Sequence, residues 1–125
     1  MIQNTWFDPF FIFENLSEED RLIQKNVKDF STSILKPNVV KHNRNHYFDR
    51  DLYKEFGKLG LLGSTIKSHG GAGTSDTAYG LIAYEIEKID SSYRSSISVQ
   101  SSLVIHPINS FGNEEQKDKY LPSLI

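Results

Sequence analysis

The residues best placed to do chemistry lie between Glu85 and Pro107, in EIEKIDSSYRSSISVQSSLVIHP. Arg94 stands near the head of a helix there, at the edge of a face carrying Ser91, Ser95, Ser98 and Ser102, spaced by four, three and four. A buried guanidinium beside small hydroxyl side chains can hold a carboxylate in a narrow slot, because its planar fork matches two carboxylate oxygens. The serine row also has a plainer reading: small side chains let two helices approach closely and turn their hydroxyls onto preceding carbonyls. The pattern alone favours that packing. Arg94 weighs against it, since a charge beside a packing face must reach solvent or find an anion. Glu87 precedes Arg94 by seven residues, with the helix-breaking Asp90-Ser91-Ser92 between them. A Glu87–Arg94 pair would therefore be a tertiary contact, either orienting the guanidinium or serving as an ordinary salt bridge.

Other candidates are incomplete. His69 and His106 have no evident acid partner or nucleophile, and the serines lack a nucleophile-elbow context. His42 and His46 stand four apart, but without an HExxH carboxylate, and their asparagine-rich setting argues for a loop rather than a metal site. Gly71-Ala72-Gly73 starts like a dinucleotide fingerprint, yet Asp76 occupies the third glycine position and no Lys-Ser or Lys-Thr pair suggests a P-loop. Ser68 to Asp76 reads as a flexible turn.

The elements that must position Arg94 are helical, and the fold class is all-α, with about five to six helices. Ser17 caps a first helix with Ile23, Val27, Phe30 and Ile34 on one stripe, and Pro37 is expected to end it. Lys41 to Tyr47 reads as a polar connector. Asp49 can cap a shorter helix burying Leu52, Phe56 and Leu59, with Gly60 as a left-handed C-terminal cap. Leu61 to Ile66 is expected to be extended. A third helix from near Thr74 to about Ile89 points Ala78, Leu81, Ile82, Ile86 and Ile89 inward. The fourth buries Tyr93, Ile97, Val104 and Ile108, with a bend or end near His106 imposed by Pro107. Asn113 caps a short helix to Tyr120, and Leu121 to Ile125 reads as the first turn of another, interrupted at the last residue. Residues 1–16 form an aromatic arm whose Trp6, Phe7, Phe10, Phe11 and Phe13 pack either in this domain's core or on a partner domain or subunit. Asn15-Leu16-Ser17 matches a glycosylation sequon, but Ser17 is better explained as the cap.

With 125 residues the chain can bury a single core. A net charge of -2 and scattered basic residues argue against a nucleic-acid surface, and the lack of cysteine excludes disulfides and thiolate chemistry. No apolar run reaches the roughly 18 residues of a membrane span. The N-terminus lacks the marks of a signal peptide or presequence, which points to the bacterial cytoplasm, with the mitochondrial matrix second.

The segments Tyr84 to Ser95 and Ser98 to Ile108 resemble the acyl-CoA dehydrogenase family, as does Phe111 to Pro122, FGNEEQKDKYLP. Trp6, Asp8-Pro9 and Asn43-Arg44-Asn45 carry the likeness further, and YRSSISVQSSLVIHP is selective for the glutaryl-CoA dehydrogenase branch. The resemblance implies only the N-terminal helical domain (17–125) of a three-domain flavoenzyme. The middle β-domain and C-terminal helical domain, which hold most of the FAD site and the catalytic glutamate, have no counterpart here. What it implies for this chain is the far wall of the acyl pocket: Arg94 with Ser95 receiving the distal carboxylate of glutaryl-CoA, Glu87 orienting Arg94, and Ser98 lining the wall. Ser92 departs from the usual glycine of the motif. The complete enzyme would abstract the α-proton, pass a hydride to FAD and decarboxylate the product to crotonyl-CoA in lysine and tryptophan degradation. It would work as a homotetramer that hands electrons to an electron-transferring flavoprotein. This chain alone is expected to bind no FAD and to be inactive, as the N-terminal portion of a split, truncated or decaying gene that needs the missing domains or a complementing chain. The rival expectation is a stand-alone, non-catalytic helical module for interaction or CoA-ester binding.

Overall fold

In the computed structural model, which describes residues 8–125, Ser17 starts the first helix by accepting the Asp20 N–H at 3.1 Å. Glu18, Glu19 and Asp20 complement that positive end. α1 (Glu18–Phe30) then runs through a wider turn, Ser31–Leu35, into α2 (Lys36–Arg44). The expected end at Lys36 is overturned, and so is most of the expected connector from Lys41. In the wider turn Lys36 N–H bonds Ser31 O, five residues back. The Thr32 and Ser33 hydroxyls bond Lys28 O and Asp29 O at 2.8 and 2.6 Å. That change of register relieves the clash a proline ring makes with the carbonyl four residues back, and Pro37 falls in the first turn of α2, where its missing N–H costs nothing.

α3 (Leu52–Lys58) buries Leu52 and Phe56 as expected, whereas Leu59 is exposed. Asp49 does not cap the helix with its side chain; its Oδ1 accepts the Asp51 N–H at 3.1 Å. Gly60 has φ 67°, the left-handed cap its position calls for. Leu61 to Ile66 is a buried turn rather than an extended crossing, with Gly63 at φ 56° and Ile66 N–H returning to Gly63 O. α4 (Asp76–Glu87) is capped by Ser75 and α5 (Ser91–Val99) by Asp90. α5 continues through a second wide turn, Gln100–Ile105, into α6 (His106–Phe111), with His106 N–H bonded to Ser101 O. α7 (Glu114–Leu124) opens on the full Asn113–Gln116 capping box and takes in Pro122, so one helix stands where two were expected.

All regular elements among the described residues are helical. α1 packs chiefly along α4, and α4 along α5. Their apolar stripes meet around Phe56, with Leu35, Ile82, Ile86, Ile97, Ile105 and Leu121 fully buried beside it. The Phe30 and Tyr53 rings stand edge-on to Phe56 at 6.0 and 6.1 Å. Each such side chain contributes about 1.5–3 kcal/mol by leaving water. Of the aromatic arm, Trp6 and Phe7 lie outside the described residues. Phe10 and Phe11 are exposed, and Phe13 meets Tyr84 at 6.2 Å. No helix among the described residues is long and apolar enough to cross a membrane.

Candidate functional site

The site forms where α4 hands over to α5. Asp90 makes the turn rigid: its Oδ1 accepts the Ser92 N–H at 2.8 Å and its Oδ2 accepts Asn43 Nδ2 at 3.0 Å. The Ser92 hydroxyl closes back on the same carboxylate. These bonds, Ser92 first and Asn43 next, hold the Asp90 carboxyl below its ordinary range. Ser92, the departure from the family motif, is therefore spent on the cap.

Across this turn Arg94 Nε donates to Glu87 Oε2 at 2.6 Å, the tertiary contact their spacing suggests. Ser91 Oγ donates to the other oxygen, Glu87 Oε1, at 2.5 Å. The Arg94 hydrogen bond, then that of Ser91, keeps the Glu87 carboxyl below its usual range. Among the described residues the two terminal nitrogens of Arg94 have no protein partner. The Arg94 side chain is 36% exposed rather than buried as the serine row suggests. It borders an open cleft of about 520 Å³ lined also by Gly80, Ala83, Tyr84, Glu87 and Lys88.

Of the four residues singled out by sequence, the structure joins Glu87 and Arg94 in that cleft. Ser95 and Ser98 are half-buried on α5 and do not line it. The serine row lies toward α4, as the packing reading has it, but it is only half-buried at its centre. Ser91 and Ser102 are exposed, and their hydroxyls meet Glu87 and Tyr79 of α4 rather than preceding carbonyls, the latter at 3.4 Å. Sequence reasoning missed the α4 side of the cleft, although Gly80, Ala83 and Glu87 repeat at three and four. Lys88, at the cleft rim, is already engaged: its Nζ lies 3.1 Å from the buried Glu85 carboxylate and 4.3 Å from the Tyr84 ring centre.

The remaining candidates separate. His42 lies in α2 while His46 lies beyond its end at φ 50°, so the pair shares no helical face. No group of three metal-binding side chains occurs among the described residues. In the glycine loop, Gly71 N–H bonds Ser68 O, Gly73 N–H bonds Ile66 O and Thr74 N–H bonds Ser64 O. Those amides are consumed inside the turn and are not offered to a pyrophosphate. His69 ties the loop to α7, with Nε2 3.1 Å from Asp118 Oδ1.

Residues 17–125 match the family model for the N-terminal domain of acyl-CoA dehydrogenases. The chain is 35% identical over 111 residues to an acyl-CoA dehydrogenase of Bacillus subtilis, covering 88% of this chain and 29% of that protein. It is 35% identical over 113 residues to mitochondrial isovaleryl-CoA dehydrogenase of Pongo abelii, covering 88% and 27%. Among solved structures, a glutaryl-CoA dehydrogenase from Mycobacterium smegmatis in complex with FADH2 superposes with a TM-score of 0.90 at 40% identity, over 93% of this chain and 30% of that one. The chain thus spans under a third of the length of these relatives. What it does span, from the Ser17 cap through the FGNEEQ capping box to Ile125, makes it a member of the acyl-CoA dehydrogenase family through that family's N-terminal helical domain.

Proposed function

We propose that this domain supplies the wall of an acyl-CoA dehydrogenase pocket that receives the distal carboxylate of a glutaryl-type acyl-CoA. The observation that carries this reading is the state of Arg94: anchored through Nε on Glu87, with both terminal nitrogens unpaired among the described residues, at the edge of an open cleft. Such a fork binds a carboxylate by two parallel hydrogen bonds. Glu87 orients it, Ser95 stands beside it on α5, and Ser98 lines the wall once the pocket is closed. Similarity to the glutaryl-CoA dehydrogenase structure supports the choice of a dicarboxylic substrate.

In this reading the open side of the cleft is covered by a β-domain and a C-terminal helical domain, on the same chain or a complementing one. Those domains would hold FAD, which would supply a hydride acceptor, and the glutamate that would serve as the base for the α-proton. An electron-transferring flavoprotein receives the electrons. The helical domain binds, orients and excludes water, and alone it turns nothing over. The test is Arg94→Gln in an enzyme assembled from this domain and the two others. Glutaryl-CoA turnover falls by about 100-fold or more, because a carboxylate is left unpaired, while turnover of butyryl-CoA, which has none, changes little. Equal losses on the two substrates would remove the carboxylate role.

A further inference from the structure

We infer that Ser91 is a positioning residue of this site: its hydroxyl holds the Glu87 carboxylate in the orientation that grips Arg94 through Nε and leaves the terminal nitrogens to a ligand. For its ligand the inference rests on the carboxylate reading above; its geometry does not.

A glutamate that is 44% exposed and faces a guanidinium is free to take the fork end-on, with both oxygens on two nitrogens, which is the stronger pairing. Here it does not. One oxygen is held by Ser91 Oγ, so only the other reaches Arg94, and it does so at Nε. Ser91 can hold it because its own place is fixed. It is the first residue of α5, directly after the Asp90 cap, and Asp90 is secured by Ser92 on one side and Asn43 of α2 on the other. Ser91 is the residue of the Asp90-Ser91-Ser92 turn whose hydroxyl reaches back to α4.

No other group does this work. Lys88, next to Glu87 in sequence and in the cleft wall, spends its ammonium on Glu85 and the Tyr84 ring. Asp90 opposes the Glu87 charge and contributes no hydrogen bond to it. Without the Ser91 hydroxyl, Glu87 can rotate both oxygens toward Arg94 and occupy the positions a ligand carboxylate needs. The pair becomes tighter as the site becomes worse. A merely structural serine would give no such opposition.

The test uses the 125-residue chain. Nitrogen-15 spectra of arginine side chains report the Arg94 Nε–H, whose wild-type resonance is expected downfield because of its bond to Glu87. Ser91→Ala moves that resonance and shifts the Glu87 titration midpoint; Ser91→Thr, which keeps a hydroxyl at the same position, restores both. Glutarate titrated into the chain then binds Ser91→Ala about fivefold more weakly than wild type, a loss the size of one hydrogen bond. An Arg94 resonance and a Glu87 midpoint that do not respond to Ser91→Ala overturn the inference. Should glutarate fail to perturb Arg94 in the wild type while Ser91→Ala still moves the resonance, the positioning role stands, and the carboxylate reading is decided separately by Arg94→Gln in the assembled enzyme.

Discussion

The helix over 18–44 and the helix over 91–111 solve the same local problem in the same way, and then differ in what they do with the solution. Each has a buried serine six residues before a proline, Ser31 before Pro37 and Ser101 before Pro107. In each, that serine's carbonyl accepts a hydrogen bond from five residues on, and the residue four on, Leu35 or Ile105, is fully buried. The difference lies in the hydroxyls. Among the described residues Ser31 Oγ has no partner, whereas Ser101 Oγ accepts the buried Gly63 N–H at 3.0 Å. Widening a turn lets a helix run through a proline, but it does not fix where the helix lies. The bond to Gly63 does, and it belongs to the helix that carries Arg94.

The largest effect should come from breaking this tie on its loop side. Gly63 has φ 56°, and a Cβ there would stand 2.8 Å from Ile105 Cγ2, the side chain that closes the second wide turn. Gly63→Ala combines backbone strain with overpacking and is expected to cost about 2–4 kcal/mol in urea unfolding. A variant as stable as wild type would mean that helix 91–111 does not depend on the turn. A smaller effect, and the direct comparison, comes from the two serines. Ser101→Ala leaves the Gly63 N–H buried without an acceptor and should cost about 1–3 kcal/mol, while Ser31→Ala removes an unsatisfied hydroxyl and should be neutral or slightly stabilising. Equal losses at both positions would erase the distinction drawn between the helices.

The same contrast marks what could be read from the chain before its structure. Caps at Ser17 and Asn113, the stripes through Val27, Ile82 and Ile97, and the left-handed Gly60 were legible because each depends on neighbours within about five residues. The helix boundaries near prolines were the hardest to place. Pro37 is read as a stop, Pro107 as a bend or an end near His106, and Pro122 as an early position of a new helix, yet a single turn of five-residue spacing suffices to carry the chain through the first two and Pro122 lies inside α7. The Ser-x5-Pro spacing common to both is the signal that was present and unused. At the site, the Glu87–Arg94 pair was legible as a tertiary contact. The burial of the guanidinium was not, because exposure depends on how α4 and α5 diverge beyond the Asp90 turn. Ser91, Ser95, Ser98 and Ser102 form one row in sequence, but the structure gives Ser91 and Ser102 separate partners.

The smallest effect separates the N-terminal ends of the two helices by the kind of group that holds their carboxylates. Asp20, in the first turn of α1, is kept below its ordinary range by hydroxyls, Ser17 first and Ser75 second, with no cation involved. Glu87, before α5, is kept low first by the Arg94 hydrogen bond and also by the Arg94 charge. Both are depressed carboxyls, so each contributes stability at pH above its ordinary value, near 3.8 for Asp20 and 4.5 for Glu87. That contribution is lost as pH falls through the lower folded-state value. Salt distinguishes them. Raising it to about 0.5 M shortens the screening length to a few ångströms and weakens the attraction between charges far more than a hydroxyl's hydrogen bond. The Arg94 charge outweighs the opposing Asp90 charge at Glu87, so screening moves the Glu87 midpoint upward and leaves that of Asp20 in place. Carbon-13 titration of the two carboxyls at low and high salt measures this directly. Equal shifts at the two positions would mean that Glu87, like Asp20, is held by hydroxyl contacts alone, and that Arg94 is not the fixed cation the cleft requires.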